Sequence, residues 1–231
     1  MLKSWFYPVL KEYCNRKPSS LLSRDEGTRN KKIIMIGIVN YGAGNIFSLT
    51  SALERLAIPF GMVNTEADLD KYTHIIIPGV GHAGAAMSKL EQTGLVEPIK
   101  ALKKPVLGIC VGMQLLTEHS EEGNASMMNI VPVKTKLFDK DQGIKIPHMG
   151  WNNIDHKNNS LFEGVENLTQ FYFVHSYFIE YNPTFDIATA NYGKPFSAAV
   201  QKDNFYGVQF HPEKSGIAGE RLLKNFSNLK Q

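Results

Sequence analysis

Two segments far apart in the chain carry the residue types that nucleophilic chemistry needs. Cys110 lies in Gly108-Ile109-Cys110-Val111-Gly112, between the apolar residues 105–109 and a helical pattern over 113–118. Such a strand-to-helix junction thrusts its central side chain out of a sharp turn, and the flanking glycines are expected to let the backbone take strained angles. A cysteine there faces the unpaired N–H groups of a helix start, which stabilise a thiolate and can hold an oxyanion. Taken alone, a cysteine beside an apolar strand is more commonly a buried structural thiol. The glycines reverse that reading, and the second segment settles it.

The second segment is Phe205-Tyr206-Gly207-Val208-Gln209-Phe210-His211-Pro212-Glu213-Lys214-Ser215. Its alternation of apolar residues predicts a strand ending at His211, because Pro212 cannot donate to a sheet ladder. A nucleophilic cysteine requires a base within hydrogen-bond reach, and the base requires a third group to fix its tautomer. His211 supplies the base and Glu213 the orienting carboxylate.

These residues need a scaffold, and from Lys32 onward strands alternate with helices. Residues 33–40 predict a buried strand. Asn45 can cap a helix with Ile46, Leu49, Leu53 and Leu56 on one face. His74-Ile75-Ile76-Ile77-Pro78 predicts a short buried strand before a glycine turn, and another strand precedes Cys110. This rhythm predicts an α/β fold, a mainly parallel central sheet flanked by helices. Beyond Asn129 the pattern becomes rich in strands, at 144–146, 171–180, 186–192 and 196–201, before a last helix over 219–229. The expectation is therefore an added antiparallel strand region. In open parallel sheets function gathers at the carboxyl ends of the strands, where Cys110, the Pro78-Gly79-Val80-Gly81 turn and His211 all fall.

Composition bounds the rest. The chain has 231 residues, 43% of them hydrophobic, and a formal net charge of +3. That suits one globular domain with no pull towards nucleic acid or a membrane. Cys14 and Cys110 make neither a disulfide framework nor a zinc-binding pair, which fits a reducing cytoplasm. Residues 1–32 are polar and aperiodic apart from an apolar start interrupted by Pro8. They read as a poorly ordered extension, or as a segment ahead of a true start at Met35, with the working domain over 33–231. Tyr41-Gly42-Ala43-Gly44-Asn45 has the look of a dinucleotide loop but carries Phe47 where the third glycine would stand. His175 has no second ligand at helical spacing, so neither a metal nor any other cofactor is expected.

Six ordered motifs carry a resemblance to a known family. They are the segment 37–45, Pro78-Gly79-Val80-Gly81, the Cys110 elbow through Leu116, Pro147-His148-Met149-Gly150-Trp151-Asn152, Phe173-Val174-His175-Ser176-Tyr177, and His211-Pro212-Glu213-Lys214-Ser215. The chain resembles the class I, or triad, glutamine amidotransferases, whose fold is flavodoxin-like. Within them it is similar to the glutaminase subunits of imidazole glycerol phosphate synthases. The resemblance implies hydrolysis of L-glutamine to glutamate and ammonia, with the ammonia passed to a cyclase partner in a heterodimer serving histidine biosynthesis. It implies Cys110, His211 and Glu213 as the catalytic triad, and Val80 and Val111 N–H as oxyanion donors. A tight glycine turn would place the same residues at 78–81. Gly81, Gln114, His175, Ser176 and Tyr177 are implied as the glutamine clamp. Asn45, Trp151, Asn152 and Lys214 are implied as the partner interface, although a core aromatic would serve equally at Trp151. A paralogue feeding an amidine-forming enzyme of surface-sugar synthesis would have the same triad. The stretch Asn124-Ala125-Ser126-Met127-Met128-Asn129, unlike the family's glycine-rich pattern, leaves that alternative open.

Overall fold

The structure is a computed structural model that describes residues 35–139 and 143–230. The expected N-terminal extension lies outside the described residues. Five strands form the parallel half of a twelve-stranded sheet: β1 (Ile36–Val39), β2 (Phe60–Val63), β3 (His74–Gly79), β4 (Val106–Cys110) and β14 (Phe205–Val208). Their order is β2-β1-β3-β4-β14. Every residue of β1, β3 and β4 is buried, as a parallel strand covered on both faces requires. Their runs of Ile and Val are therefore continuous rather than alternating.

Helices α1 (Ile46–Arg55), α2 (Glu66–Leu69), α3 (Ala83–Gln92), α4 (Val96–Lys100) and α5 (Val111–Leu115) connect the parallel strands. Asn45 caps α1 as expected: its Oδ1 accepts the Ser48 N–H at 3.4 Å, and Leu49, Ala52 and Leu53 form the buried face. The helix after the Cys110 elbow is shorter than the pattern over 113–118 predicts, because Thr117 turns its hydroxyl onto the Gln114 carbonyl at 2.7 Å.

The sheet continues from β14 through antiparallel partners, β13 (Lys194–Lys202) and β11 (Tyr177–Glu180), to β7 (Lys134–Leu137). Two-residue strands β5 (His119–Ser120) and β6 (Ala125–Ser126) finish that edge. β12 (Asp186–Tyr192) pairs with β13 and with β9 (Asp155–His156). A separate antiparallel pair, β8 (His148–Asn153) and β10 (Gln170–His175), lies apart from this sheet. Last comes α6 (Gly216–Asn228), which begins earlier than 219.

Three strand expectations need correction. The predicted strand 171–180 is two strands in two different sheets, broken at Ser176. Residues 144–146 form no strand, and pairing starts at His148, where β10 supplies a partner. β14 ends at Val208, so His211 stands three residues beyond the last paired position.

Candidate active site

Cys110 is the last residue of β4 and caps α5, with φ 54° and ψ −111°. A non-glycine residue in that region is held at a cost of about 1–3 kcal/mol, so the surrounding packing must impose it. The source is the neighbouring glycines, by a different route from the one the sequence suggests. Neither Gly108 nor Gly112 has a positive φ. A Cβ on Gly112 would collide with the Ile77 carbonyl, and one on Gly79 with the Gly112 nitrogen. The glycines let β3, β4 and α5 touch backbone to backbone, and the strain falls on Cys110 itself.

His211 follows β14, the strand beside β4. Its backbone N–H donates to the Tyr172 carbonyl at 2.9 Å, and its carbonyl accepts from the Ser215 hydroxyl at 2.6 Å. The ring is 1% exposed, with Nδ1 2.8 Å from Glu213 Oε1, whose side chain is also buried. Nε2 is buried without a hydrogen-bond partner. Burial alone would lower the His211 pKa. The Cys110 side chain and the Glu213 carboxylate outweigh it and raise the value to about 10. The imidazolium is thereby the favoured form of His211.

One cavity of about 260 Å³ joins these groups. Val80, Gly81, Cys110, Val111, Gln114, His175, Ser176, Tyr177 and His211 are among the residues that line it. Val111 is the first residue of α5, so its N–H has no partner within the helix. Gln114 is 2% exposed and its Oε1 is an acceptor with no partner. Gly81 takes φ 87° with open space around it, as a turn that must bring backbone to a ligand allows. His175 also lines the cavity. Its ring is tied away, Nδ1 to the Tyr177 carbonyl at 2.8 Å and Nε2 to His148 Nδ1 at 2.9 Å. Burial lowers the pKa of His175 to about 3 and of His148 to about 4, so both rings are neutral.

Of the residues assigned to a partner surface, Trp151 and Lys214 meet at Tyr172. Trp151 is 54% exposed and stands edge-on to the Tyr172 ring, which excludes the core-aromatic alternative. The exposed Lys214 places its ammonium 5.8 Å from the same ring. Asn152 is half-buried and donates to the Asn191 carbonyl at 2.9 Å. Asn45 lies deeper, sharing a cavity of about 10 Å³ with Val80, His211 and Glu213. His82 is exposed and caps α3 by accepting the Ala85 N–H. Among the described residues no cluster could hold a metal ion, and no helix is long and apolar enough to cross a membrane.

Three residues meet at the site without a signal in the local pattern. Glu122 is the acid of the main cavity wall, and its Oε2 accepts the Ala83 N–H at 2.6 Å. Tyr41 donates from its buried hydroxyl to the Pro78 carbonyl at 2.6 Å. Burial, and then the neighbouring Cys110, raises its pKa well above the ordinary phenol value. Gln209 is fully buried with its amide 3.7 Å from Cys110 Sγ.

A parallel sheet carrying an elbow cysteine beside a histidine–glutamate pair defines a class, and comparison agrees. The profile described as "Glutamine amidotransferase class-I" matches residues 37–229, and the chain belongs to that family. Among its relatives is the imidazole glycerol phosphate synthase subunit HisH of Bacteroides thetaiotaomicron. It is 48% identical over 197 residues, covering 84% of this chain and 99% of that protein. The protein of the same name from Haemophilus influenzae is 48% identical over 200 residues, 84% of this chain and 97% of that one. The solved structure of PurLQS from Thermotoga maritima contains a chain with the same fold. Its TM-score is 0.62 at 19% identity, covering 84% of this chain and 98% of that chain.

Proposed function

We propose that this chain is the glutaminase subunit of an imidazole glycerol phosphate synthase. It hydrolyses L-glutamine and passes the ammonia to a cyclase partner in a cytoplasmic heterodimer of histidine biosynthesis. Residues 33–231 are the working domain and 1–32 an extension. The observation that carries the reading is Cys110, strained at its elbow, opening onto one cavity with His211, whose Nδ1 is held by Glu213. The names of relatives that align over nearly their whole length support the acceptor.

The steps follow from the geometry. Glutamine enters the cavity with its ammonium towards Glu122, and a substrate N–H reaches the free Gln114 Oε1. Backbone groups of Gly81, Ser176 and Tyr177 complete the clamp. The Cys110 thiolate adds to the side-chain amide carbon. The oxyanion is held by the Val111 N–H and the Val80 N–H, each worth roughly 3 kcal/mol of barrier. The His211 imidazolium gives its proton to the departing nitrogen, ammonia leaves, and a glutamyl thioester remains. His211, now neutral, takes a proton from water as that water attacks the thioester. The thiolate leaves, and glutamate is released. Glu213 holds the ring tautomer throughout. Exposed Trp151 and Met149, with Asn45, Asn152 and Lys214, form the surface for the cyclase.

The test is reconstitution with the cognate cyclase. Glutamine-dependent formation of imidazole glycerol phosphate should require both proteins, and should vanish in Cys110→Ala while ammonia still supports it. Formation with ammonia but none with glutamine would refute the assignment.

A further inference from the structure

We propose that Gln209 is a catalytic residue: its side-chain amide donates a hydrogen bond to the Cys110 thiolate, in an orientation imposed through Gln114 by the Tyr177 carbonyl. The proposal rests on Cys110 being the nucleophile.

The direction of every bond in this chain follows from its far end. A backbone carbonyl only accepts. Tyr177 O takes the His175 Nδ1–H at 2.8 Å and Gln114 Nε2 at 3.2 Å, which obliges Gln114 to turn its NH₂ rather than its oxygen that way. The same NH₂ group then reaches Gln209 Oε1 at 3.1 Å, so the Gln209 oxygen is the acceptor of that pair. Gln209 is left with its own NH₂ facing Cys110 Sγ at 3.7 Å. Flipping both amides would set the Gln114 oxygen against the Tyr177 carbonyl. Beyond His175 the order continues: His175 Nε2 accepts from His148 Nδ1, and His148 Nε2 from Asn152 Nδ2 at 3.4 Å. Both rings are neutral, so each has one donor and one acceptor, and the sequence of bonds has a single consistent sense.

The sulfur has two polar neighbours of opposite character. The Val174 carbonyl, 3.8 Å away, suits an S–H, and the Gln209 N–H suits an S⁻. Ionisation therefore exchanges one partner for the other without moving the chain, and of these two neighbours Gln209 is the one that favours the reactive form. Other groups that act on the sulfur are His211, backed by Glu213, and the Tyr41 hydroxyl. Glu122 and His175 line the same cavity, and the rings of His175 and His148 are uncharged. His211 must both pair with the thiolate and surrender its proton to the leaving nitrogen. A fixed neutral donor keeps part of the stabilisation in place after that proton has moved.

The experiment measures the rate of Cys110 alkylation by iodoacetamide against pH, in the full-length chain carrying Cys14→Ser so that one thiol reports. Gln209→Met removes the donor at similar volume. Gln209→Glu keeps an acceptor for Gln114 but sets a carboxylate against the sulfur. The midpoint is expected to rise by about one pH unit in the first, with alkylation near neutral pH about tenfold slower, and to rise further in the second. Midpoints equal to the parent's, whatever the maximal rates, would overturn the proposal. If the Met variant does not fold, the Glu variant and the parent decide. In the parent, the Gln209 side-chain amide resonances should titrate with the alkylation midpoint and lose that titration once Cys110 is alkylated. Resonances indifferent to the thiol would also overturn it. Glutamine turnover by the parent with its cyclase is scored separately, so a failed function and a failed hydrogen bond give different results.

Discussion

The two walls of the cavity are built by different physics. On the nucleophile side, β3, β4 and α5 meet through glycines at backbone contact, and the strained Cys110 is fixed by close packing. On the clamp side, β8 and β10 present a buried polar chain. Asn152, His148 and His175 bond to one another and on to Tyr177 O, wrapped in the rings of Phe138, Phe173 and Tyr192. A wall made by backbone contact tolerates no added atom, because the obstacle is a carbonyl that cannot rotate away. A wall made by hydrogen bonds tolerates shape changes but not the loss of a donor or acceptor. The first suits a group that must not move during the reaction. The second suits a surface that must order amides around a polar substrate.

The largest expected effect falls on the packed wall. Cys110→Ala should lower glutamine turnover at least about a thousandfold with little change in thermal stability, since the methyl group keeps the elbow. An electrophilic glutamine analogue should label Cys110 and not Cys14, and labelling at Cys14 would break the comparison at its root.

Gly112→Ala and His148→Phe compare the walls directly. The first drives a methyl into the Ile77 carbonyl and should cost about 3 kcal/mol or more. The second keeps a ring on Phe173 and Tyr192 but orphans the buried His175 Nε2, at about 1–3 kcal/mol. Urea midpoints read both, and the reverse order would show that the polar wall is the more rigid.

Disrupting the partner surface should have a smaller effect on activity. Lys214→Ala is expected to reduce stimulation by the cyclase about tenfold, while analogue labelling of the isolated chain keeps its rate. An equal fall in both would move Lys214 into the catalytic machinery.

The walls should also respond to pH with opposite sign. His148 and His175 have folded pKa values of about 4 and about 3 against 6.5 unfolded. Below about pH 6.5 the unfolded chain therefore binds more protons, and stability falls with acid. Asp186, raised by burial to about 6, binds a proton earlier in the folded state than in the unfolded, and offsets one of the two histidines between about pH 4 and 6. His211, raised to about 10, has the reverse sense: its contribution is full below about 6.5 and is lost as pH rises through 10. Melting temperature should therefore peak near neutrality, and His148→Phe should flatten the acid limb alone. Smallest of all, removing residues 1–32 should leave turnover and melting nearly unchanged, because every motif of the site lies beyond them.

Local chemistry and local geometry were legible in the amino-acid order alone. A cysteine between a strand and a helix, a histidine following a late strand and a glutamate two residues on can be read there because each depends on neighbours within a few positions. The α1 cap at Asn45 and the buried runs of β1, β3 and β4 were legible for the same reason. The tertiary structure decided what depends on contacts between distant segments. Alternation over 171–180 is the same whether one sheet or two receives it, and only the partners β8 and β13 split the segment at Ser176. The glycines around Cys110 read as freedom for the backbone, and the packing showed them to be room for Ile77 and Gly112. Glu122 and Gln209 carry no pattern of their own. Gln209 meets Cys110 across 99 residues of chain, and a glutamine acquires a function there because folding removes water from it and leaves the sulfur as the acceptor for its N–H.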